Sequence, residues 1–468
     1  MSGFGLRALA GIKYLHFIGI YGISMSSLAI VCARLGYTVS GSDTGSGDEH
    51  RRRALMEAGI KLKQGNAPEN LPINSQSGAA AAVVYTAAVT ESDRELSAAR
   101  GLGWQTFGRA EFMELLTREF PLRIGVSGTH GKSTVCGMIA EIYLAAGFEP
   151  DVLCGAELSS LGGAFRIGSG QRVVYVACEY KNSFLNLRPT HAIVTNIEEE
   201  HTDFFKSIEE TREAFFEFTD RAERAVICVD SVESGLLAAR LGKKAITCSA
   251  YSGVRGKEQN AVSADYYAED IRVDKGLFSF SLYRRGEYLA AISLMVPGRH
   301  NLQNAVTAAA LASETGVPME FIAIGLGRFS GVKRRMEYRG TLNGAVIYDD
   351  YAHHPTEIKA TLAAARSMGF KRIYCAFQPH TYSRTAHFMR EFAHAFADAD
   401  QVAFADIYAA REQNVYGVSS QELAGITPNG IYLPTAELIA EYFRRIAAPD
   451  MLLLTMGAGE LNRVADLL

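Results

Sequence analysis

Several features that mark large classes of protein are missing from this sequence. The seven cysteines are scattered, with no CxxC pair and no regular spacing, which argues against a zinc ribbon or a disulfide framework and predicts free thiols in a reducing cytoplasm. Apolar runs such as Ala79–Tyr85 are too short to span a bilayer. The segment Ile12–Ile23 is apolar but carries His16, so it predicts a strand and a turn and not a signal peptide.

The chain also lacks a strong net charge and internal repeats. Lys and Arg number 47 against 51 Asp and Glu, a formal net charge of -4. This balance gives no general attraction for nucleic acid or an anionic membrane, so local groups must meet any anionic substrate. No low-complexity linker and no obligate protein partner is evident. The 468 residues, of which 48% are hydrophobic, predict a globular protein of three domains.

What is present is a recurring order of short apolar strand, loop and helix, which predicts an α/β fold with parallel sheets. The first block has strands at Tyr14–Ile20 and Tyr37–Ser40 around a helix from Ser24 to Leu35. Strands of the second block are expected at Leu122–Ser127, Val173–Cys178, Ala192–Ile197 and Ala225–Val229. Alternation from Tyr266 to Leu294 predicts a small antiparallel part. Strands of the third block are expected at Ala345–Tyr348, Arg372–Phe377, Gln401–Ala405 and Met451–Met456.

The first block contains an altered form of the GxGxxG turn, with Gly19 and Gly22 but Tyr21 and Ser24 at two of the three glycine positions. Such a strand-to-helix turn lets backbone N–H groups approach a diphosphate. Asp43 follows the next strand, where a dinucleotide-binding enzyme would hold a ribose. The alternative is a tight turn with no ligand. The lost glycines argue against NAD, and we predict a nucleotide or nucleotide-sugar site.

The second block contains a shortened phosphate-binding loop between a predicted strand and an amphipathic helix. Its residues are Gly128, Thr129, His130, Gly131, Lys132, Ser133 and Thr134. Backbone donors at the helix N-terminus would cradle phosphate, the Lys132 ammonium would neutralise it, and the Ser133 hydroxyl could coordinate Mg²⁺.

Polar side chains also follow the next two strands of this block. Glu179 comes directly after Val173–Cys178, and His201 ends the run that begins at Glu198. Because parallel strands end at one edge of a sheet, both are candidate Mg²⁺ ligands. The alternatives are a surface carboxylate and a histidine in a structural hydrogen bond, since Mg²⁺ seldom prefers nitrogen.

The end of the chain contains further clusters of polar residues. Asn301 and Asn304 would share one helix face and could bind a purine edge, and Arg334 and Arg335 offer forked donors for phosphate. Two consecutive strand ends carry the remaining candidates, which are Asp350, Tyr351 and His353 in the first and His380 and Arg384 in the second. The charge run Arg51–Arg53, in contrast, is predicted to be only a solvated helix face.

Taken together these segments resemble the Mur ligase superfamily. The resemblance runs nearly end to end and is most specific in DDYAHHPTEI and FQPHTYSRT, beside GTHGKST, CEYKNSFLNLRP, VTNIEEEHTDFF, VPGRHNLQNA, FSGVKRRMEYRG and DIYAAREQ. It implies a Rossmann-like UDP-sugar domain at residues 1–118, a central ATPase domain at 119–328, and a Rossmann-like amino-acid domain at 329–468. It also implies ATP and Mg²⁺ as cofactors, and UDP-N-acetylmuramate and L-alanine as substrates.

Carried over residue by residue, the resemblance assigns roles to the candidates. It implies that Lys132 holds ATP phosphates, that Ser133 and Glu179 bind one Mg²⁺ and His201 a second, and that Asn301 and Asn304 contact adenine. Arg334 and Arg335 would meet phosphate, and His380 and Arg384 would lie near the incoming alanine. Asp350, Tyr351 and His353 would line the joint between the ATP and amino-acid domains.

The sequence departs from the family's usual pattern in three places. Tyr21 and Ser24 replace the glycine pair, and Thr381 stands where an arginine is usual after His380. The usual Asp-Glu-Ser-Asp around the metal glutamate is Cys178-Glu179-Tyr180-Lys181, so only Glu179 carries over.

Three other functions remain as alternatives. A nicotinamide-dependent oxidoreductase would leave the phosphate loop without a role. A non-catalytic scaffold would be expected to have lost one of the catalytic residues. The third alternative is another Mur-type ligase, which adds a peptide or a different amino acid.

Overall fold

The structure, a computed structural model, describes residues 9–45, 47–72, 80–201, 204–251, 264–410 and 412–468. Residues 202 and 203 and residue 411, within two of the family-like segments, therefore lie outside the described residues. The chain divides into two units. The first is built of the residues up to Cys248 together with Thr307–Gly325, and the second of Tyr266–Val306 and Leu326–Leu468.

The first unit begins with a five-stranded, all-parallel sheet of order β3-β2-β1-β4-β5. Its strands are β1 Ile12–Ile18, β2 Thr38–Asp43, β3 Lys61–Gln64, β4 Ala80–Tyr85 and β5 Gln105–Gly108. Its helices are α1 Ile23–Arg34, α2 Glu49–Glu57, α3 Arg94–Gly101 and α4 Arg109–Thr117. The predicted strand–helix–strand order of the first block is confirmed, with element ends shifted by one to three residues.

The second sheet of the first unit has the order β12-β11-β10-β6-β9-β7-β8, and all pairs are parallel except β7–β8. Its strands are β6 Leu122–Ser127, β7 Asp151–Leu158, β8 Gly163–Arg166, β9 Arg172–Val176, β10 His191–Val194, β11 Arg224–Cys228 and β12 Ala245–Ser249. Its helices are α5 Lys132–Ala145, α6 Ile208–Asp220 and α7 Val232–Leu241. All seven cysteines of the chain are free thiols.

The second unit contains an antiparallel meander and a mixed sheet. The meander is formed by β13 Tyr266–Asp274, β14 Leu277–Arg284 and β15 Glu287–Pro297, within the region for which the sequence predicted an antiparallel part. The mixed sheet has the order β16-β17-β21-β18-β19-β20, with β16 alone antiparallel. Its strands are β16 Glu337–Leu342, β17 Ala345–Asp350, β18 Arg372–Phe377, β19 Gln401–Phe404, β20 Gly430–Tyr432 and β21 Met451–Met456.

The remaining helices belong to the later part of the chain. They are α8 Arg299–Glu314, α9 Met319–Arg328, α10 Pro355–Ser367, α11 Tyr382–His387, α12 Met389–Ala395, α13 Ser420–Ile426, α14 Ala436–Ile446 and α15 Arg463–Leu467. Among the described residues, no helix combines the length and the apolar character that crossing a bilayer requires. The α/β fold predicted from the sequence is confirmed, including the antiparallel part. The exception to the expected third block is its edge strand β16, which pairs antiparallel.

A buried polar network joins β1, β2 and α3 inside the first sheet. His16 contacts Ser40 Oγ through Nδ1 and Glu95 Oε1 through Nε2, both at 2.6 Å. Ser42 donates to the other oxygen of Glu95 at 2.8 Å. All four side chains are buried, so each polar atom depends on its partner, because water cannot replace a lost contact.

We expect Glu95→Ala to lower the free energy of unfolding of this sheet by ~2–4 kcal/mol, because His16 and Ser42 would be left buried without partners. Trp104 is the single tryptophan of the chain and packs beside α3, so its fluorescence during urea unfolding measures the effect. The control is Glu57→Ala, whose ion pair with Arg53 is largely exposed and should contribute little. A loss no larger than that of the control would contradict the structural role of the network.

Candidate functional site

The loop between β6 and α5 requires glycine at two positions. Gly128 has φ +133°, and a Cβ there would lie 1.9 Å from Thr195 Oγ1. Gly131 has φ 83° and precedes α5 as its N-cap, with no side chain capping the helix. Left-handed backbone of this kind favours glycine. The uncapped helix N-terminus supplies N–H groups that suit an anion.

Asn196, which follows the neighbouring strand β10, fixes the conformation of this loop by accepting hydrogen bonds from it. Thr129 N–H donates to the carbonyl of Asn196 at 3.1 Å, and His130 N–H donates to its Oδ1 at 2.8 Å. The loop is therefore shaped by backbone and amide contacts that leave the start of α5 accessible. Ser133 and Thr134 lie in the first turn of that helix.

Lys132 and Glu179 form an ion pair across the strand ends. Lys132 Nζ lies 3.1 Å from Glu179 Oε1 and 3.0 Å from Oε2. The same ammonium donates to the carbonyl of Thr129 at 3.0 Å and to that of Gly128. The structure thus brings two of the predicted catalytic side chains into direct contact, with the lysine folded back onto its own loop.

His201 lies at the same edge, with its Nε2 3.6 Å from Glu179 Oε1. Its ring packs on Tyr180 at a centroid distance of 4.6 Å and an angle of 35°. Burial would raise the pKa of Glu179, but the charge of Lys132 and the contact with His201 outweigh it and lower that pKa. Glu179 is therefore a carboxylate, as ligation of a cation requires.

The donor set at this edge fits a divalent cation. Glu179 is only 2% exposed, and both of its carboxylate oxygens lie within 3.1 Å of the Lys132 ammonium. A buried carboxylate with an imidazole nitrogen 3.6 Å away would form a partial shell for Mg²⁺, which fills its other positions with water and phosphate and would displace the Lys132 ammonium from Glu179.

The first sheet forms a second glycine turn, between β1 and α1. Gly19 has φ +81°, and a Cβ there would lie 2.5 Å from Thr86 Cγ2. Gly22 precedes α1 as an N-cap without a side-chain cap. Asp43 accepts from Tyr21 N–H and Gly45 N–H, both at 2.9 Å. In this structure Asp43 shapes the turn, and its predicted contact with a ribose remains a prediction.

Two arginines border this turn, and sequence reasoning missed both. Arg51 donates to the carbonyl of Tyr21 at 2.8 Å, and Arg109 donates to Ser24 Oγ at 3.2 Å. The prediction that Arg51–Arg53 is only a solvated face is wrong for Arg51, because α2 turns that side chain toward the glycine turn. The partly buried position of Arg51 is visible only in the structure. A run of three arginines in the sequence does not distinguish Arg51 from its neighbours.

In the second unit, Asn301 and Asn304 face each other on α8. Asn304 Nδ2 donates to Asn301 Oδ1 at 3.3 Å, and Asn301 Nδ2 donates to the carbonyl of Pro297 at 2.7 Å. Both are buried. The shared helix face is as predicted, and contact with a purine stays a prediction.

The adjacent arginines have different surroundings. Arg334 has φ 60° and donates from Nε to Asp349 at 3.1 Å, from Nη1 to Gly459 O at 3.1 Å and from Nη2 to Gly457 O at 2.7 Å. Arg335 makes an ion pair with Glu357 at 3.1 Å. Arg334 therefore ties β17 to the segment after β21, and binding phosphate would require some of these bonds to break.

Both guanidinium groups pack against one aromatic ring. The Arg334 and Arg335 Cζ atoms lie 5.1 and 5.3 Å from the centroid of Tyr351. Tyr351 N–H also donates to the carbonyl of Arg334 at 2.6 Å. Tyr351 is thus fixed by both predicted anion-binding residues.

Two titratable groups close to Arg335 have shifted pKa values. Asp350 accepts from Ala352 N–H at 2.7 Å and Met336 N–H at 2.8 Å. Burial outweighs the attraction of Arg335 and raises the pKa of Asp350 to about 6. Burial and Arg335 lower the pKa of His300 to about 4.

His380 and Arg384, which the sequence places after the same strand, are in direct contact. Arg384 Nη1 lies 3.0 Å from His380 Nδ1 and donates to its carbonyl at 3.3 Å. As a guanidinium can only donate, His380 Nδ1 is the acceptor in this contact. His353 lies 6.1 Å from His380 between ring centroids, and its Nδ1 is 2.9 Å from the carbonyl of Tyr351.

Two residues that the sequence reasoning left without a role complete this cluster. Tyr408 stacks on His380 at 5.7 Å, and Glu412 accepts from Ser383 N–H at 2.9 Å and from its hydroxyl at 2.5 Å. Both belong to the segment DIYAAREQ, which the sequence shows as family-like without saying what it contacts.

Comparison with known families accounts for most of the chain. Residues 14–121 match the model of the Mur ligase family, catalytic domain. Residues 126–312 match the Mur ligase middle domain, and residues 334–459 match the Mur ligase, glutamate ligase domain.

Similar proteins extend over the same length. A UDP-N-acetylmuramate--L-alanine ligase of Agathobacter rectalis is 42% identical over 97% of both chains. That of Acetivibrio thermocellus is 41% identical over 97% of this chain and 95% of its own. The crystal structure of a UDP-N-acetylmuramate-alanine ligase from Thermotoga maritima shares the fold with a TM-score of 0.80 at 24% identity over 97% of both chains. The chain belongs to the Mur ligase family.

Proposed function

We propose that this chain is an ATP-dependent ligase that joins L-alanine to the carboxylate of UDP-N-acetylmuramate, in the synthesis of peptidoglycan precursors in the cytoplasm. The observation that carries the proposal is full-length similarity to alanine ligases at 42% identity, together with the contact of Lys132, Glu179 and His201. We propose residues 1–118 for the UDP-sugar, 119–328 for ATP and 329–468 for the amino acid.

The loop around Lys132 is proposed to receive ATP. Residues 128–134 supply backbone donors and Lys132 the charge, while Asn301 and Asn304 hold the adenine and Asp350 lies near the nucleotide. Ser133, Glu179 and His201 would hold Mg²⁺. When bound, Mg²⁺ neutralises phosphate charge and lowers the barrier to phosphoryl transfer.

The chemistry follows from the poor reactivity of a carboxylate toward amines. A carboxylate oxygen of the UDP-sugar attacks the γ-phosphorus of ATP, the bond to ADP breaks, and an acyl phosphate results. The amine of alanine then attacks the acyl carbon, and the tetrahedral intermediate expels phosphate. Lys132, Arg334 and Arg335 are proposed to stabilise the charge that moves during these steps.

The glycine turn with Gly19, Gly22 and Asp43 is proposed to hold the UDP-sugar. At the other substrate, Arg384 is proposed to grip the alanine carboxylate through two parallel bonds, because a guanidinium matches a carboxylate. Tyr351, His353 and His380 would surround the amine. The attacking amine must be neutral, and His353, whose Nδ1 lies 2.9 Å from the carbonyl of Tyr351 and whose Nε2 is then the acceptor nitrogen, is proposed to accept the proton.

Phosphate release with UDP-N-acetylmuramate tests the activity directly. Release should require ATP, Mg²⁺ and L-alanine, with no nicotinamide present. A panel of amino acids and a preformed tripeptide sets the specificity. Greater efficiency with the tripeptide than with free alanine would assign the chain to peptide ligation instead.

Lys132→Ala is expected to lower turnover at least ~100-fold, because a charge-assisted contact contributes ~1.5–3 kcal/mol even before the transition state. Steady-state rates at saturating ATP measure this, with circular dichroism and UDP-sugar binding as checks on folding. Near-normal turnover would contradict the phosphate-loop assignment.

His201→Ala is expected to raise the Mg²⁺ concentration that gives half-maximal rate, and to weaken direct Mn²⁺ binding measured by electron paramagnetic resonance. The reason is the loss of one ligand beside Glu179. UDP-sugar affinity should stay close to that of the wild type. An unchanged cation dependence would mean that His201 serves only to pack against Tyr180.

Arg384→Ala is expected to raise the KM for alanine about 10–100-fold while those for ATP and UDP-sugar change little, because a charged hydrogen bond is lost. Arg390→Ala, at an exposed arginine on the following helix, is the matched control. Equal effects on all three substrates would indicate a structural role through His380.

A further inference from the structure

Lys181 has an unusual backbone conformation beside the proposed metal site. It follows Glu179 by two residues, in the 3₁₀ segment Tyr180–Asn186. Lys181 has φ 52° and ψ 32°, and Asn182 has φ 54° and ψ 24°. Two successive left-handed residues that are not glycine cost about 1–2 kcal/mol each. The surrounding structure must therefore hold them there.

Hydrogen bonds within the segment hold this turn. Ser183 Oγ lies 2.8 Å from the carbonyl of Cys178 and 2.9 Å from that of Tyr180. Asn182 N–H donates to the carbonyl of Glu179 at 2.9 Å, and Phe184 N–H donates to that of Cys178 at 2.9 Å. The turn is thus anchored to the end of β9, so the direction of the Lys181 side chain is set by the metal-site strand.

The Lys181 ammonium reaches the first sheet of the same unit. Its Nζ donates to the carbonyl of Ala87 at 3.2 Å, in the segment that follows β4. Ala87 adjoins Thr86, the residue against which Gly19 packs so closely that no Cβ fits. The ammonium therefore lies beside the segment that packs on the glycine turn proposed for the UDP-sugar.

Lys181 is not neutralised by any carboxylate in the part of the chain that the structure describes. The Lys181 ammonium contacts the Ala87 carbonyl and the ring of Tyr180, whose centroid lies 5.5 Å away. The side chain is exposed. An ammonium has three N–H donors, so this one can bind an anion without first losing a partner.

We propose that Lys181 binds the carboxylate of UDP-N-acetylmuramate, which is the group that receives phosphate. This inference rests on the proposed function. The UDP moiety at the Gly19 turn fixes one end of the substrate, and the carboxylate must reach the loop that carries Lys132. Lys181 contacts Ala87 next to the first of these places, and it follows Glu179, the partner of Lys132, by two residues. Because Tyr180 packs on His201 and contacts Lys181, one aromatic ring supports both the anion site and the proposed metal ligand.

The expected effect is on binding more than on the chemical step. In this chain Lys181 should give UDP-N-acetylmuramate an advantage over UDP-N-acetylglucosamine, which has the same diphosphate and sugar but no carboxylate.

Dissociation constants for the two UDP-sugars, measured by calorimetry on the full chain, test the proposal. Lys181→Met should weaken binding of UDP-N-acetylmuramate about tenfold or more and leave UDP-N-acetylglucosamine unchanged, because one charged hydrogen bond is lost. Lys181→Arg should recover most of the difference. The control is Lys243→Met, which removes an exposed lysine just before β12, at the edge of the sheet opposite the phosphate loop.

Two outcomes would overturn the proposal. Equal weakening of both UDP-sugars in Lys181→Met would mean that Lys181 only ties Ala87 in place. An unchanged affinity for UDP-N-acetylmuramate would mean that it contacts no substrate carboxylate. Failure of the wild-type protein to bind or turn over UDP-N-acetylmuramate would remove the proposed function and this role together, whereas normal turnover with either of the first two results removes this role alone.

Discussion

The ion pair between Lys132 and Glu179 is the interaction on which the proposed ATP site depends. It exists because parallel strands end at one edge of a sheet, so that the loop after β6 and the residue after β9 become neighbours. Each buried charge there is compensated within the protein. ATP and Mg²⁺ would then bind by an exchange of partners, in which the Lys132 ammonium contacts phosphate and the Glu179 carboxylate ligates the cation.

The same rule of internal compensation applies in the second unit. Arg334 is paired with Asp349 and Arg335 with Glu357, while Tyr351 packs against both guanidinium groups. These contacts fix the arginines where their donors converge. The arginines proposed to handle phosphate are thus held by other groups of the protein, and Arg334 would have to break some of these bonds to bind phosphate.

Much of the fold could be predicted because its strands are short apolar runs bounded by glycine or charge. Leu122–Ser127, Arg372–Phe377 and Met451–Met456 were predicted to the residue. The strand β16 was missed, since it is a half-exposed edge strand without a buried face. At the site, the rule that parallel strands end at one edge of a sheet predicted that Glu179 lies near the phosphate loop, whereas the contact of His380 with Arg384 was not predicted. Spacing could not show that Asp43 holds a turn or that Arg51 approaches it, because tertiary packing decides both.

Arg334 illustrates how geometry limits mutational tolerance. Its three nitrogens reach three acceptors in two separate segments, Asp349 and the carbonyls of Gly457 and Gly459. A lysine carries its charge at a single point and cannot span them. Arg335 has one carboxylate partner, which a lysine could also satisfy. The two adjacent arginines look interchangeable in the sequence. We nevertheless expect the residue at position 334 to vary less among relatives than the residue at position 335.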